Sequence, residues 1–149
     1  MCDDYLLIFS YKMPITLISL YELNQNPCDL LAALQKWKLI PKEGEYYCPR
    51  CEGALALNKC KEDGWRWQCN NRISKHKQKA EKCGLCVRFR KGTFFANSHL
   101  SYFNILAFSH LWAEGVQLRV IKLELGIGCD NTLVNWSSFC REVIYFLNA

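Results

Sequence analysis

The stretch "YYCPRCEG", residues 46–53, places two cysteines three positions apart with a proline and an arginine between them. A C-x2-C turn of this kind presents two thiolates to one tetrahedral metal ion, and its backbone amides can donate hydrogen bonds to the sulfurs. Two more ligands are needed to complete a four-coordinate site. Cys48 and Cys51 therefore predict one half of a structural zinc site.

The redox environment of these thiols can be inferred from the first twenty residues. The chain opens with Asp3 and Asp4 rather than with positive charge, and Lys12 and Pro14 interrupt the apolar run that follows. These features disfavour a signal peptide and a membrane span, so we expect reduced thiols and no membrane partner. The expected compartment is the nucleus, or the cytoplasm if the source is prokaryotic.

Three cysteines further along the chain compete for the two remaining ligand positions. Cys69 ends the run "WRWQC", while Cys83 and Cys86 form a second C-x2-C pair just before "VRFR". Two such pairs at this distance predict a four-cysteine zinc ribbon with one structural Zn²⁺ as cofactor, whereas no βαβ pattern supports a thioredoxin-like redox role. The remaining cysteines are expected to be small buried apolar residues: Cys2, Cys28, Cys60, Cys129 and Cys140.

Positive charge is concentrated around the same cysteines. Residues 58–91 hold eleven Lys and Arg against three Asp and Glu, a net charge of +8, although the whole chain of 149 residues carries only +5. A basic block inside an otherwise slightly acidic chain indicates a surface that binds phosphate groups. The alternative is a loop that is charged only to stay solvated.

Two alternating runs predict strands and assign faces to their side chains. These are "WRWQC" at 65–69 and "VRFRKGTFF" at 87–95, and the polar run "NNRISKHKQKAEK" between them predicts a loop. Because successive side chains point to opposite faces, Trp67 and Arg66 lie on different sides of the first strand. If the strands pair, Arg66, Arg88 and Arg90 line up outward near Lys91 as candidate DNA contacts. Arginines on a solvated strand face for solubility alone are the alternative.

Helical patterns flank this region. Residues 26–39 predict a helix, with Asn26 as the cap and Pro27 at the first position. Residues 98–149 predict further helices, with Ser98 as a possible cap, stops at Gly115 and Gly126, and a last helix opening at Asp130 or Asn131. The expected fold is α+β: an N-terminal segment with one helix over 1–45, a small zinc β-ribbon over 46–96, and a three-helix helix-turn-helix bundle over 97–149.

The last two predicted helices favour DNA binding. A short helix, a turn containing glycine and a longer helix that starts with small polar residues are typical of a helix-turn-helix, whose second helix enters the major groove of double-stranded DNA. Other three-helix bundles show a similar pattern, but the neighbouring basic ribbon favours DNA. The candidate DNA-contacting residues on the last helix are Asn131, Thr132, Asn135 and Arg141.

The order of the motifs resembles a known family. The order of seven segments resembles that of the N-terminal DNA-binding region of Merlin-type transposases and their bacterial insertion-sequence relatives, over roughly residues 27–146. These segments are "CPRC", "DGWRWQC", "KC", "RKGTFFANSHL", "LWAEG", "LELGI" and "NWSSFCREV". The resemblance implies a zinc ribbon and a helix-turn-helix that recognise terminal inverted repeats. The family's last zinc ligand lies nine residues before the glycine of its R-x-G-[ST]-F-F run, here Gly92, which implies Cys48, Cys51, Cys69 and Cys83 as the ligands.

The chain departs from the family in two respects. The polar insertion after Cys69 is longer than expected, which leaves Cys86 as a substitute ligand. The family continues into a ribonuclease-H-like catalytic domain, whereas this sequence stops at Ala149. We therefore expect no catalysis by this chain alone. The expected partners are duplex DNA, a transposase catalytic domain or another copy of this chain. The alternative is a zinc-stabilised protein-interaction domain with no nucleic-acid role.

Overall fold

The computed structural model describes residues 15–61, 64–74 and 79–148. They fall into two compact units, one made of residues 40–97 and the other of residues 15–39 together with 98–148. The described residues form five helices and two small antiparallel sheets. The α+β class predicted from the sequence is therefore confirmed.

Residues 40–97 form the β unit. Its strands are β1 (Ala56–Cys60), β2 (Gly64–Gln68), β3 (Arg72–Ile73), β4 (Glu81–Lys82) and β5 (Cys86–Arg88). A three-stranded sheet has the order β1-β2-β5, and β3 pairs with β4 in a separate two-stranded sheet. Trp67 of β2 lies opposite Val87 of β5, and both are buried, whereas Arg66 and its partner Arg88 are exposed. The predicted pairing of the two arginine-bearing strands and the faces assigned to them are confirmed.

The strand predicted over 87–95 ends much earlier, at Arg88. Lys91 N–H donates to the carbonyl of Arg88 at 3.1 Å, and Thr93 N–H donates to that of Arg90 at 3.1 Å. Gly92 has φ 72°, which closes the chain into turns. The polar run 70–82, predicted as a loop, contains β3 and β4 in its described part.

The helical unit contains α1 (Leu17–Asn24), α2 (Pro27–Lys36), α3 (Tyr102–Ala113), α4 (Leu118–Leu125) and α5 (Asp130–Asn148). The helix predicted over 26–39 is α2, where Asn26 accepts a hydrogen bond from Cys28 N–H at 3.0 Å. It stops at Lys36, since Lys38 adopts φ 57° outside the helix. The N-terminal segment therefore holds two helices, because α1 precedes the single helix that the sequence predicted.

The later helix boundaries agree with the sequence in part. Ser101, rather than Ser98, caps α3, where its hydroxyl accepts a hydrogen bond from Asn104 N–H at 3.0 Å. Gly126 ends α4 in the left-handed conformation with φ 64°, as predicted. The core of this unit is a buried cluster, namely Phe108, Ile121, Ile127, Leu133 and Cys140. Within the described ranges, no helix combines the length and the apolar character needed to cross a membrane.

Candidate metal centre and basic surfaces

Four cysteines of the β unit converge on one point. The Sγ atoms of Cys48, Cys51, Cys69 and Cys83 all lie within 4.8 Å of one another. The Cys48–Cys83 pair is 3.8 Å apart and the Cys51–Cys69 pair is 3.3 Å apart. With Zn–S bonds of about 2.3 Å, a tetrahedral zinc ion separates its sulfurs by about 3.8 Å. The cluster can therefore hold one metal ion, and its donor set is consistent with a single structural zinc.

The first two thiols are presented by a tight turn. Cys48 N–H donates to the carbonyl of Gly53 at 2.8 Å, and Glu52 N–H donates back to the carbonyl of Cys48 at 2.8 Å. Glu52 has φ 60°, an uncommon conformation for a residue other than glycine. The turn directs the side chains of Cys48 and Cys51 to the same point, as the C-x2-C spacing predicted.

The second two thiols follow short strands. Cys69 comes directly after β2, and its N–H donates to the carbonyl of Leu85 at 2.8 Å, while Cys83 comes directly after β4. Cys86 lies on β5, is exposed, and has its Sγ atom 3.7 Å from the carbonyl oxygen of Gly84. Of the three cysteines that compete for the two remaining positions, Cys69 and Cys83 belong to the cluster and Cys86 does not.

The cysteines of the cluster differ in how readily they ionise. Burial raises the pKa of Cys48, but hydrogen bonds from the backbone N–H groups of Arg50 and Cys51 and from the neighbouring thiols lower it to about 7. For Cys69, burial and the surrounding thiols raise the pKa to about 12 despite a hydrogen bond from the backbone N–H of Asn71. Four adjacent thiolates repel one another, so a divalent cation among them would favour the ionised form of all four.

Two residues near the cluster were missed by sequence reasoning. The Asn71 side-chain amide donates to Cys51 Sγ at 3.8 Å, and Arg50 Nη1 donates to the carbonyl of Cys83 at 3.4 Å. No spacing rule singles out Asn71. The contact joins Asn71 to Cys51, 20 positions earlier in the chain, so no local pattern could have found it.

The other cysteines only partly match the expectation of burial. All nine cysteines within the described residues are free thiols, and Cys2 lies outside them. Cys140 is buried as predicted and Cys60 is partly buried, whereas Cys28 and Cys129 are exposed, so the prediction was wrong for these two. Cys129 precedes α5, where hydrogen bonds from the backbone N–H groups of Thr132 and Asn131 lower its pKa.

Arginines from two strands meet on the polar face of the three-stranded sheet. Arg66 lies directly opposite Arg88, and Asn58 of β1 lies on the other side of Arg66. Lys91 is exposed in the turn that follows β5, whereas Arg90 is partly buried there. Of the three arginines predicted to line one face, the structure pairs Arg66 with Arg88 on the sheet. The prediction was wrong for Arg90, which lies in the turn with Lys91 because β5 ends at Arg88.

The residues predicted to contact bases lie along α5. Asn131 and Asn135 are exposed in its first turns and are about 40° apart around the helix axis, so they share one face. Thr132 is partly buried and contacts Cys129. Arg141 lies about 15 Å further along the axis than Asn131. Its guanidinium donates within its own helix, to the Ser137 carbonyl and the Ser138 hydroxyl, both at 3.4 Å.

Comparison of the chain with protein-family models, with curated proteins and with solved structures gave no match. The resemblance to Merlin-type transposases therefore stays an interpretation of the motif order. The cysteine cluster and the paired arginines carry the functional proposal.

Proposed function

We propose that this chain is a zinc-stabilised module that binds double-stranded DNA. The observation that carries the proposal is the direct opposition of Arg66 and Arg88 on β2 and β5. Like charges directly opposite each other destabilise a sheet unless an anion offsets them. A DNA backbone presents a dense row of phosphates that arginine binds well. Such a module acts where DNA is found, in the nucleus or in a prokaryotic cytoplasm.

The metal has a structural role in this proposal. Four cysteine ligands close a tetrahedral zinc site completely, whereas catalytic zinc sites keep one position open for water or substrate. Cys48, Cys69 and Cys83 are also buried, with exposed fractions of 1%, 0% and 8%. A closed and buried site would stabilise the β unit that presents Arg66 and Arg88. We assign no catalytic activity to this chain.

The two units would make different kinds of contact. Arg66, Arg88 and Lys91 would bind phosphates, with Arg90 as a supporting residue of the same turn. A four-residue connection with two glycines, residues 126–129, joins α4 to α5, and a turn of this length supports the helix-turn-helix interpretation. The exposed Asn131 and Asn135 would then read base edges, since asparagine pairs well with adenine. Thr132 and Arg141 are candidates for flanking contacts.

The transposase origin is part of the same proposal. It is supported by the order of the motifs from "CPRC" to "NWSSFCREV", and it identifies the target as the terminal inverted repeats of a transposable element. Partners in that setting are a transposase catalytic domain or a second copy of this chain.

A salt titration tests DNA binding. The zinc-loaded chain is mixed with a fluorescent random-sequence duplex, and the affinity is measured by anisotropy between about 50 and 200 mM salt. Three phosphate contacts predict that log K falls with log salt with a slope of about −3. An absence of binding at the lowest salt concentration would refute the proposal.

One observation favours a protein-interaction domain instead. Large apolar side chains are exposed on two helices: Val120 (42%) and Leu123 (72%) on α4, and Val134 (54%) and Tyr145 (73%) on α5. Val120 and Leu123 are three positions apart and share one face of α4, and contiguous exposed apolar patches often mark surfaces that bind other proteins. This alternative predicts no salt-dependent affinity for DNA.

A further inference from the structure

We propose that Asn71 is a positioning residue of the metal centre, which strengthens metal binding through a hydrogen bond from its side chain to the thiolate of Cys51. The inference rests on metal binding by the four cysteines and is independent of whether the chain binds DNA. It assigns a role to a residue that belongs to neither the ligand set nor the basic face.

Asn71 contacts three of the four cysteines. Its side-chain Nδ2 donates to Cys51 Sγ at 3.8 Å, and its backbone carbonyl accepts from Cys83 N–H at 2.7 Å. Its backbone N–H donates to the thiol of Cys69. The two backbone contacts do not involve the side chain, so the specific contribution of asparagine is the bond to Cys51.

The neighbouring turn leaves room for this amide. A Cβ atom added at Gly53 would lie 1.4 Å from Asn71 Nδ2 and 2.5 Å from its Cγ. The amide group therefore lies directly against Gly53, two residues after Cys51. A methyl group at position 53 would push the side chain of Asn71 away and break its bond to the sulfur.

Cys51 is the ligand for which such a bond matters most. The other three cysteines are buried, whereas Cys51 is partly exposed. A thiolate that faces water is where a chelator or an electrophile attacks first, and an N–H donor reduces the electron density on its sulfur. Because a thiolate only accepts hydrogen bonds, the amide must turn Nδ2 rather than Oδ1 toward it when metal is bound.

The test uses the full chain loaded with zinc and two variants that remove the donor. Asn71→Leu keeps the branched shape without an amide, and Asn71→Asp keeps the shape with acceptors only. Zinc affinity is measured by competition with a chromophoric chelator, and we expect a loss of about tenfold for both variants. Asn70→Leu, a change at the neighbouring exposed asparagine, is the matched control and should bind zinc as tightly as the wild type.

Two further readouts separate a specific bond from a general structural effect. In the cadmium-loaded chain, the ¹¹³Cd resonance should shift in the Asn71 variants, because the electron density on one sulfur changes. In the zinc-loaded chain, alkylation by iodoacetamide, followed by mass spectrometry at Cys51, should become faster. Weaker zinc binding with an unchanged ¹¹³Cd signal and unchanged Cys51 alkylation would overturn the inference.

Gly53→Ala provides an independent route to the same result. It should lower zinc affinity as Asn71→Leu does, and the double variant should be no weaker than either single one, since both remove the same bond. Full additivity, or wild-type affinity in Asn71→Leu, would overturn the inference. A wild-type chain that takes up no metal would refute the proposed metal centre itself, and the role of Asn71 with it.

Discussion

The Sγ atoms of Cys48 and Cys83 lie 3.8 Å apart although 35 residues separate them in the sequence. Closing a loop of this length costs conformational entropy, and crowding four thiols adds repulsion once they ionise. The short strands of the β unit offer few backbone hydrogen bonds against these costs, because β3 and β4 have only two residues each. We therefore expect the β unit to depend on a bound metal more than the described helical unit does.

Removing the metal should unfold residues 40–97. Structural zinc in small modules contributes on the order of 10 kcal/mol to folding, which is comparable to the whole stability of a domain. The purified chain should contain about one equivalent of zinc by elemental analysis. After chelation, the dispersed amide signals of the β unit should disappear from the NMR spectrum. An unchanged spectrum of these residues in the metal-free chain would show that the cluster is not a structural site.

Cys83→Ser should abolish metal binding, whereas Cys86→Ser should retain it. The first change removes a buried ligand, and the second removes an exposed thiol on β5 whose sulfur lies outside the cluster. Zinc content and the thiolate-to-cobalt charge-transfer absorption of the cobalt-loaded variants measure the difference. The opposite pattern would make Cys86 the fourth ligand.

Glu52→Gly should stabilise the zinc-loaded chain by about 0.5–1 kcal/mol. Glu52 has φ 60°, which costs a residue with a Cβ atom about 1–2 kcal/mol, and the greater freedom of glycine in the unfolded chain offsets part of the gain. Denaturant unfolding at fixed zinc concentration measures the change. Glu52→Ala is the control, since it removes the same carboxylate and keeps the strain. Equal stability of the glycine and alanine variants would contradict the explanation.

Ser137→Ala should destabilise the helical unit by about 1 kcal/mol. Ser137 is 6% exposed, and its hydroxyl accepts a hydrogen bond from Trp112 Nε1 at 3.0 Å, so loss of the hydroxyl leaves the indole N–H without this acceptor. Thermal unfolding measures the effect. Ser138→Ala, on the next and more exposed position of α5, should stay within about 0.5 kcal/mol of the wild type. Similar effects at both positions would mean that the indole finds another acceptor.

Local patterns predicted the parts of the site that depend on neighbouring residues alone. The C-x2-C spacing placed Cys48 and Cys51 together because a single turn joins them. The alternation of β2 placed Arg66 on the polar face and Trp67 on the buried one, because the period of a strand is two. Both predictions needed no knowledge of distant contacts.

The other features depend on contacts that no local pattern encodes. Spacing could not choose between Cys83 and Cys86, because the choice follows from the register that places Cys86 opposite Gln68 on the sheet. The pairing of β3 with β4 joins short polar segments without an apolar alternation. Asn71 was missed because its role arises from the proximity of Gly53, eighteen positions earlier in the chain.

The central claim is that Arg66 and Arg88 bind DNA phosphates. The most direct test measures the affinity of the double variant Arg66→Ala/Arg88→Ala for duplex DNA as a function of salt. Each lost phosphate contact should reduce the magnitude of the slope of log K against log salt by about 0.9. In the double variant the magnitude of this slope should therefore fall by about 2, and all duplexes should bind more weakly. Lys59→Ala is the matched control, because Lys59 lies over Trp65 on the opposite face of the same sheet and should leave the slope unchanged. If the double variant keeps the affinity and the salt slope of the wild type, the arginine face does not bind DNA and the proposed function is wrong.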